Sequence, residues 1–288
     1  METFLDIVIA GLLLGGLYAL IAMGLSLQYG VARVLNVSHG EFIMVGGLTT
    51  WALHTSLGLN PLIAVAICGP VAFFIGVFLH RTVFRSLLAS SPSSAVFEGK
   101  SMLASFGLLF IIQNIALIIF NAKIKAYDYL NTPVNIGGSL FGANRMVAFA
   151  FALVIGIAFY LFVARSRMGK AIRAAAEDPS TAAMMGVNIN NVLAICFGFG
   201  AAMAGIAGVL ISMIYPVHTG MGIEYTVIAI IVVVLGGLGS IPGSFIGGFL
   251  IGIIGSLVTY FEPGLTLASY YVLFIILLLI RPTGNMGK

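Results

Sequence analysis

The sequence predicts an all-α fold: a single polytopic domain over residues 1–288, built as a transmembrane helical bundle of about eight or nine segments with broken helices. Three observations predict it. Of 288 residues, 60% are hydrophobic and only 8% are charged, with a mean hydropathy of +1.14. A soluble domain carries about 25% charged residues, so too few charges are present here to cover a water-facing surface, and most of the solvent must be lipid. The apolar residues fall into long runs, several close to the roughly 20 residues needed to cross a bilayer. One polar cassette, Met168 to Asn191 (MGKAIRAAAEDPSTAAMMGVNINN), interrupts them. It is too polar to span and too helical for a random loop, so it hangs from the membrane on one side.

Phe4 to Leu27 reads as the first span. Its Gly11 and Gly15 form a G-x-x-x-G pair suited to close helix contact. The first basic residue is Arg33, so the basic region of a cleavable signal is missing, while Glu2 and Asp6 make the start acidic. The N-terminus is expected outside. A polar hinge, Gln28 to Glu41, follows, then an apolar stretch of about a dozen residues, Phe42 to Leu53. That stretch is either a half-helix or a tilted helix beginning before Glu41. Pro61 to Leu79 spans, ending in His80, Arg81 and Arg85, and Ser86 to Lys100 reads as a Ser-rich loop. Met102 to Phe120 and Met146 to Ala164 are spans, and Asn121 to Arg145 between them reads as loop or short hairpin, with Pro133 and turn formers at 135–138. After the cassette, Val192 to Ile214 spans and Tyr215 to Tyr225 links. Thr226 to Leu235 and Ser244 to Tyr260 flank the break GGLGSIPG (236–243), and Leu265 to Ile280 is the last span.

The positive-inside rule places the loops with Arg81, Arg85 and Lys100, with Arg165 to Arg173, and with Arg281 and Lys288 in the cytoplasm. The C-terminus is therefore expected inside. Lys123, Lys125 and Arg145 fall on the other side. The net charge of +4 does not point to nucleic acid, because the basic residues are few and sit at segment ends. Cys68 and Cys196 lie in apolar runs and read as small core residues; no Cys/His metal-ligand spacing occurs. His39 to Gly47 and Pro242 to Gly248 share a weak echo (HGEFIMVGG, PGSFIGG), the kind of pairing seen where broken helices flank a pathway.

Three constellations stand out. In the cassette, Lys170 and Arg173 lie one turn apart, Ala171, Ala174 and Ala175 give a smooth flank, Asp178 before Pro179 is placed to cap a second short helix, and Gly186 reads as a helix stop. An amphipathic helix on lipid headgroups is the plain alternative, but an alanine face inserts poorly and suits a protein groove. The hinge residues Asn36, Ser38, His39, Gly40 and Glu41 either line a translocation path or gate, or cap a helix at the membrane surface through a Ser38–Glu41 capping box. Direct contact with a solute is the less favoured of the two. The 236–243 break either opens backbone to a water-filled path or is a tight cytoplasmic turn. Tyr215, His218 and Glu224 read as a solvated outer loop rather than a docking surface. No P-loop, H-E-x-x-H or catalytic set is present, and the spans are almost free of charge, which disfavours an ion-coupled carrier and an intramembrane enzyme.

The cassette resembles the cytoplasmic coupling loop of ABC-importer permeases. Its form Gly-Lys-Ala-Ile-Arg-Ala-Ala-Ala-Glu-Asp-Pro, ending in Met-Gly-Val, is similar to the branched-chain amino acid permease family. Tyr18-Ala-Leu-Ile-Ala-Met-Gly-Leu-Ser-Leu, Tyr29-Gly and Asn36-Val-Ser-His-Gly-Glu-Phe resemble the N-terminal signature of its H-type (LivH-like) subunits, and Leu235-Gly-Gly-Leu-Gly-Ser-Ile-Pro-Gly-Ser the C-terminal one. The resemblance covers nearly the whole chain in order. It implies a multi-pass subunit of the bacterial inner membrane, moving a small polar solute by alternating access. A branched-chain or other amino acid fits first; urea, short amides, or an ion-coupled mechanism are the alternatives. It implies a second permease (LivM-like), two ABC ATPases (LivG/LivF-like) that hold ATP and Mg, and a periplasmic binding protein, with no cofactor on this chain. It assigns ATPase coupling to Gly169, Lys170, Arg173, Ala174, Glu177, Asp178 and Gly186. Asn36, Ser38, His39, Glu41, Gly236, Gly237, Gly239 and Pro242 are the expected path or gate.

Overall fold

A computed structural model describes residues 2–136 and 138–280; Arg281 and Lys288, and with them the expected inner C-terminus, lie outside the described residues. Long helices account for most of the chain: α1 (Glu2–Ala32), α2 (His39–Leu57), α3 (Pro61–Leu79), α4 (Arg85–Ala89), α5 (Ser94–Phe120), α6 (Ala143–Arg165), α7 (Arg167–Glu177), α8 (Pro179–Met184), α9 (Ile189–Ser212), α10 (Met221–Gly236), α11 (Ile241–Phe261) and α12 (Thr266–Ile280). Six of these segments are long and apolar enough to cross a membrane: α1, α3 with α4, α5, α6, α9 and α11. The 19-residue α2 carries His39, Glu41 and His54, and α10 and α12 are shorter apolar helices.

The expected hairpin is present: β1 (Pro133–Ile136) pairs antiparallel with β2 (Ser139–Gly142). Its Ser139 hydroxyl donates to Asp6 near the start of α1. Lys125 and Val217 exchange both backbone hydrogen bonds at 2.8 Å. These contacts gather the start of α1, residues 121–142 and the α9–α10 link at one end of the bundle, the hairpin end. The cassette and the far end of α1 form the other. Lys123, Lys125 and Arg145 thus share an end with the start of α1, opposite the basic cassette.

Several boundaries differ from the expectation. The Ser86–Lys100 loop is only a short turn. A π-helical stretch, His80–Phe84, carries α3 into α4, and Ser93 caps α5 by accepting from Val96 N–H. Phe84 and Phe97, 0% and 3% exposed, draw both flanks into the core. Polar side chains alone do not end a helix whose apolar face still has something to pack on. Likewise α1 runs through Gln28 to Ala32, so the hinge is confined to residues 33–38, opened by Arg33 at φ +52°. Helix α2 begins before Glu41, as the second alternative held.

The core sits around α1 and α9, most of whose apolar windows are buried. Helix α1 packs along α11 through the Gly11–Gly15 face: a Cβ on Gly11 would lie 2.6 Å from Ile253 Cα, and one on Gly15 2.8 Å from Phe249 Cα. The small residues therefore do bring two backbones together. Both cysteines are free and buried.

Candidate functional site

The hinge lies deep, not at the surface. His39 Nε2 is 3.1 Å from the Ile21 carbonyl oxygen, and Val37 N–H donates to Ser105 Oγ at 3.1 Å. Ile21 is eleven residues from the end of α1, and Ser105 eleven from the start of α5. At 1.5 Å per residue both contacts sit about 16 Å from the cassette end, near the middle of a hydrocarbon core of about 30 Å. Irregular backbone at that depth must have its polar groups met by protein, and this one does. Gln28 donates to the Phe197 carbonyl (3.1 Å), and Asn36 Nδ2 to Gln28 Oε1 (3.2 Å). Ser38 donates to Asn36 Oδ1 from both N–H and hydroxyl. Thr226 of α10 completes the net: its hydroxyl donates to the Val37 carbonyl (3.1 Å) and accepts from Gly40 N–H (2.8 Å).

The expected capping box is therefore absent. Ser38 stands at the N-cap of α2 but makes no side-chain cap bond, because Asn36 holds its hydroxyl. Glu41 turns instead toward α10. Asn36, Ser38, His39 and Glu41 are all 0% exposed, yet neither carboxylate oxygen of Glu41 has a hydrogen-bond partner. The carboxylate rests on Gly222, where an added Cβ would come within 2.6 Å of Glu41 Cδ. One residue earlier, a Cβ on Gly40 would lie 2.7 Å from the Gly222 carbonyl carbon. The first turns of α2 and α10 thus meet at a glycine–glycine contact that admits no side chain. Sequence reasoning named Gln28 only as the start of the hinge and missed Ser105, Gly222 and Thr226. Single polar residues within otherwise apolar spans were the available signal.

The cassette is two helices meeting at an elbow. Gly169, Ile172 and Ala175 bury one face of α7. Lys170, Arg173, Ala174, Glu177, Asp178 and Gly186 are exposed. Gly169 stands apart from the other expected coupling residues: it packs against the Val163 and Phe162 carbonyls of α6, so its smallness serves internal packing. Arg173 donates to the Val163 and Ala164 carbonyls, closing the last turn of α6. Asp178 caps α8, accepting from Ser180 N–H (2.9 Å) and Thr181 N–H (3.2 Å). The Ser180 and Thr181 hydroxyls, with the Thr181 N–H, hold its carboxyl well below the usual carboxylate range. Gly186 at φ +86° ends the elbow. Met184 and Met185 beside it are 79% and 81% exposed.

The 236–243 break is a tight turn. Gly237 and Gly239 take φ of +96° and +81°, and Ser240 caps α11 by accepting from Gly243 N–H at 3.1 Å. Gly239 lies against Gly30 near the end of α1, at the cassette end, so the turn reading fits its geometry. Gly236 and Gly237 are buried and Pro242 exposed. Helix α11 starts at that end whereas α2 starts at mid-depth, so the two echoing segments do not occupy matching positions. At the hairpin end, Lys125 Nζ sits 4.5 Å from the Trp51 ring centre and Arg145 5.9 Å from that of Tyr215, so both cations lie over aromatic rings. Tyr215 and His218 are half-buried and Glu224 is exposed.

Comparison with known proteins fits this arrangement. The profile of the branched-chain amino acid transport system / permease component family matches residues 7–281. The chain is 30% identical to the high-affinity branched-chain amino acid transport system permease protein BraD of Pseudomonas aeruginosa, over 99% of this chain and 96% of that protein. It is 32% identical to the permease protein LivH of Escherichia coli, with the same coverage. A solved structure, PsaBC from Streptococcus pneumoniae in complex with Fab, shares the fold at a TM-score of 0.51 and 15% identity, covering 98% of this chain and 96% of that one. With the family profile spanning nearly its whole length and two such relatives, the chain belongs to the branched-chain amino acid transport permease family.

Proposed function

We propose that this chain is a membrane-spanning permease subunit of an ATP-binding-cassette importer in the bacterial inner membrane, passing branched-chain or related amino acids by alternating access. The observation that carries the proposal is the cassette. Helices α7 and α8 form a capped elbow, rigidly tied to α6 through Arg173 and Gly169, whose charged face stays exposed at one end of an otherwise lipid-facing bundle. Such an element transmits force to a partner. The relatives' names supply the solute. In this reading two ATPase subunits hold ATP and Mg and grip Lys170, Arg173, Ala174, Glu177 and Asp178. A second permease completes the path, and a binding protein delivers solute to the hairpin end. The buried hinge lies where a path closed at mid-depth would be sealed.

A mild-detergent pull-down of the tagged chain, with subunits identified by mass spectrometry and assayed for ATP hydrolysis, tests it. Two P-loop ATPases and a second permease are expected. A chain that purifies alone and moves solute in liposomes without ATP overturns it. Glu177→Lys should uncouple transport from ATPase stimulation while leaving membrane insertion intact.

A further inference from the structure

Glu41 is expected at the path or gate, but that expectation gives its carboxylate no chemical role. It is fully buried, both oxygens lack a partner, and it lies against Gly222 in the first turn of α10 while belonging to the first turn of α2. Two helix N-termini therefore converge on it, and each favours negative charge. Burying a lone ionised carboxylate at membrane depth is expensive, so Glu41 is either neutral in this closed arrangement or met by a positive charge, and an ammonium would stabilise its ionised form. Among the described residues, the Lys and Arg side chains stand near helix ends, in loops or in the cassette rather than at this depth. A metal ion is poorly served: among the described residues no group of three His, Cys, Asp or Glu is placed to hold one.

Beside the junction lies an apolar cleft of about 230 Å³ between α5 and α10, lined by Leu35, Val37, Thr226 and Val227 among others and open on the outside of the bundle, where Phe106 and Ile223 are exposed. It shares Val37 and Thr226 with the hinge network, and Ile223 follows the glycine on which the Glu41 carboxylate rests. A negative centre at a junction of broken helices, next to an aliphatic cleft, matches a small molecule with an ammonium group and a branched aliphatic tail.

We infer that Glu41 is the binding group for the solute's ammonium, with the α5–α10 cleft taking its aliphatic side chain. The inference rests on the importer reading and names the chemistry of its hinge. Access requires the Gly40–Gly222 contact to part, so the site belongs to an opened state of the path. The neighbouring Thr226 hydroxyl and Val37 carbonyl are further oxygen acceptors for an ammonium once the contact has parted.

The test uses the assembled importer in lipid nanodiscs without its binding protein, reading radiolabelled leucine by scintillation proximity. Two competitors separate the ends of the molecule: isopentylamine keeps the ammonium and tail, 4-methylpentanoate keeps the carboxylate and tail. The expected result is competition by the amine and not by the acid. Glu41→Gln should weaken leucine binding at least tenfold and Glu41→Asp less. Ile223→Trp, which fills the cleft and leaves Glu41 in place, should erase the preference for leucine over glycine. The inference is overturned if the wild-type complex does not bind leucine, if the acid competes as well as the amine, or if Glu41→Gln binds leucine normally. Should Glu41→Gln fail to fold, the competitor pattern on the wild-type complex still decides. Subunit composition of the same sample keeps the two failures distinct: missing ATPases defeat the importer reading, whereas intact complexes without amine recognition defeat only the role of Glu41.

Discussion

Replacing Thr226 by Val tests whether the buried hinge is held by hydrogen bonds or by shape alone. Val keeps the volume and branching of Thr and removes the hydroxyl. That hydroxyl serves two backbone groups, accepting from Gly40 N–H and donating to the Val37 carbonyl, and all three residues are buried. Each orphaned group would cost about 1–3 kcal/mol in a soluble protein. Interhelical hydrogen bonds inside membranes are worth less, about 0.6 to 1.7 kcal/mol each. Two bonds therefore give roughly 1–3 kcal/mol of lost stability. The assay is thermal unfolding in detergent with a thiol-reactive fluorophore, since Cys68 and Cys196 are free and buried and react only as the bundle opens. Thr226→Val should unfold at a lower temperature than wild type, and Thr226→Ser, which keeps the hydroxyl, should fall between them. The reasoning fails if the Val variant matches wild type while the Ser variant is the less stable, because packing would then outweigh the hydrogen bonds.

Other outcomes follow from the cassette, the hairpin-end loop and the α1–α11 contact. Asp178→Ala should speed amide exchange across 180–184 and weaken ATPase coupling, with membrane insertion unchanged. Because its carboxyl is lowered from the ordinary 3.8, the Asp178 contribution is complete above that pH and is lost only as pH falls below it; exchange measured against pH checks this. Burial pushes the Tyr127 phenol up to about 12 from 10.0, so the neutral form is favoured on folding and its contribution, present below pH 10, fades as pH rises toward 12. Ultraviolet titration of wild type against Tyr127→Phe reads that phenol directly. Gly15→Val should force α1 from α11 and cost about 1–3 kcal/mol by overpacking, seen as reduced yield of folded protein in detergent.

The helical bundle was legible because apolar runs and their glycines report lipid and close packing directly; the Gly11–Gly15 face did what its spacing announced. The cassette was legible in detail, down to Asp178 as a cap and Gly186 as a stop, because caps act within a few residues of sequence. The hinge was legible as a polar cluster but not in its depth. Its partners come from α1, α5, α9 and α10, far apart in sequence, while the Asn36–Ser38 contact is local and competes with the capping of α2. The Ser86–Lys100 stretch misled for the same reason, since buried Phe84 and Phe97 outweighed the serines around them.

The junction of α2 and α10 has a mechanical consequence. Helix α2 runs from mid-depth to the hairpin end, where its Trp51 and His54 rings meet Lys125 and Tyr127. Helix α10 runs from the same depth to the cassette end, finishing at Gly236. End to end they make a composite strut across the bilayer, jointed at its middle by Gly40, Gly222 and one threonine hydroxyl. A push at either face can bend that strut at the joint instead of carrying straight through. The only covalent path between the two halves of that strut runs through other helices, so its continuity rests on this one small contact.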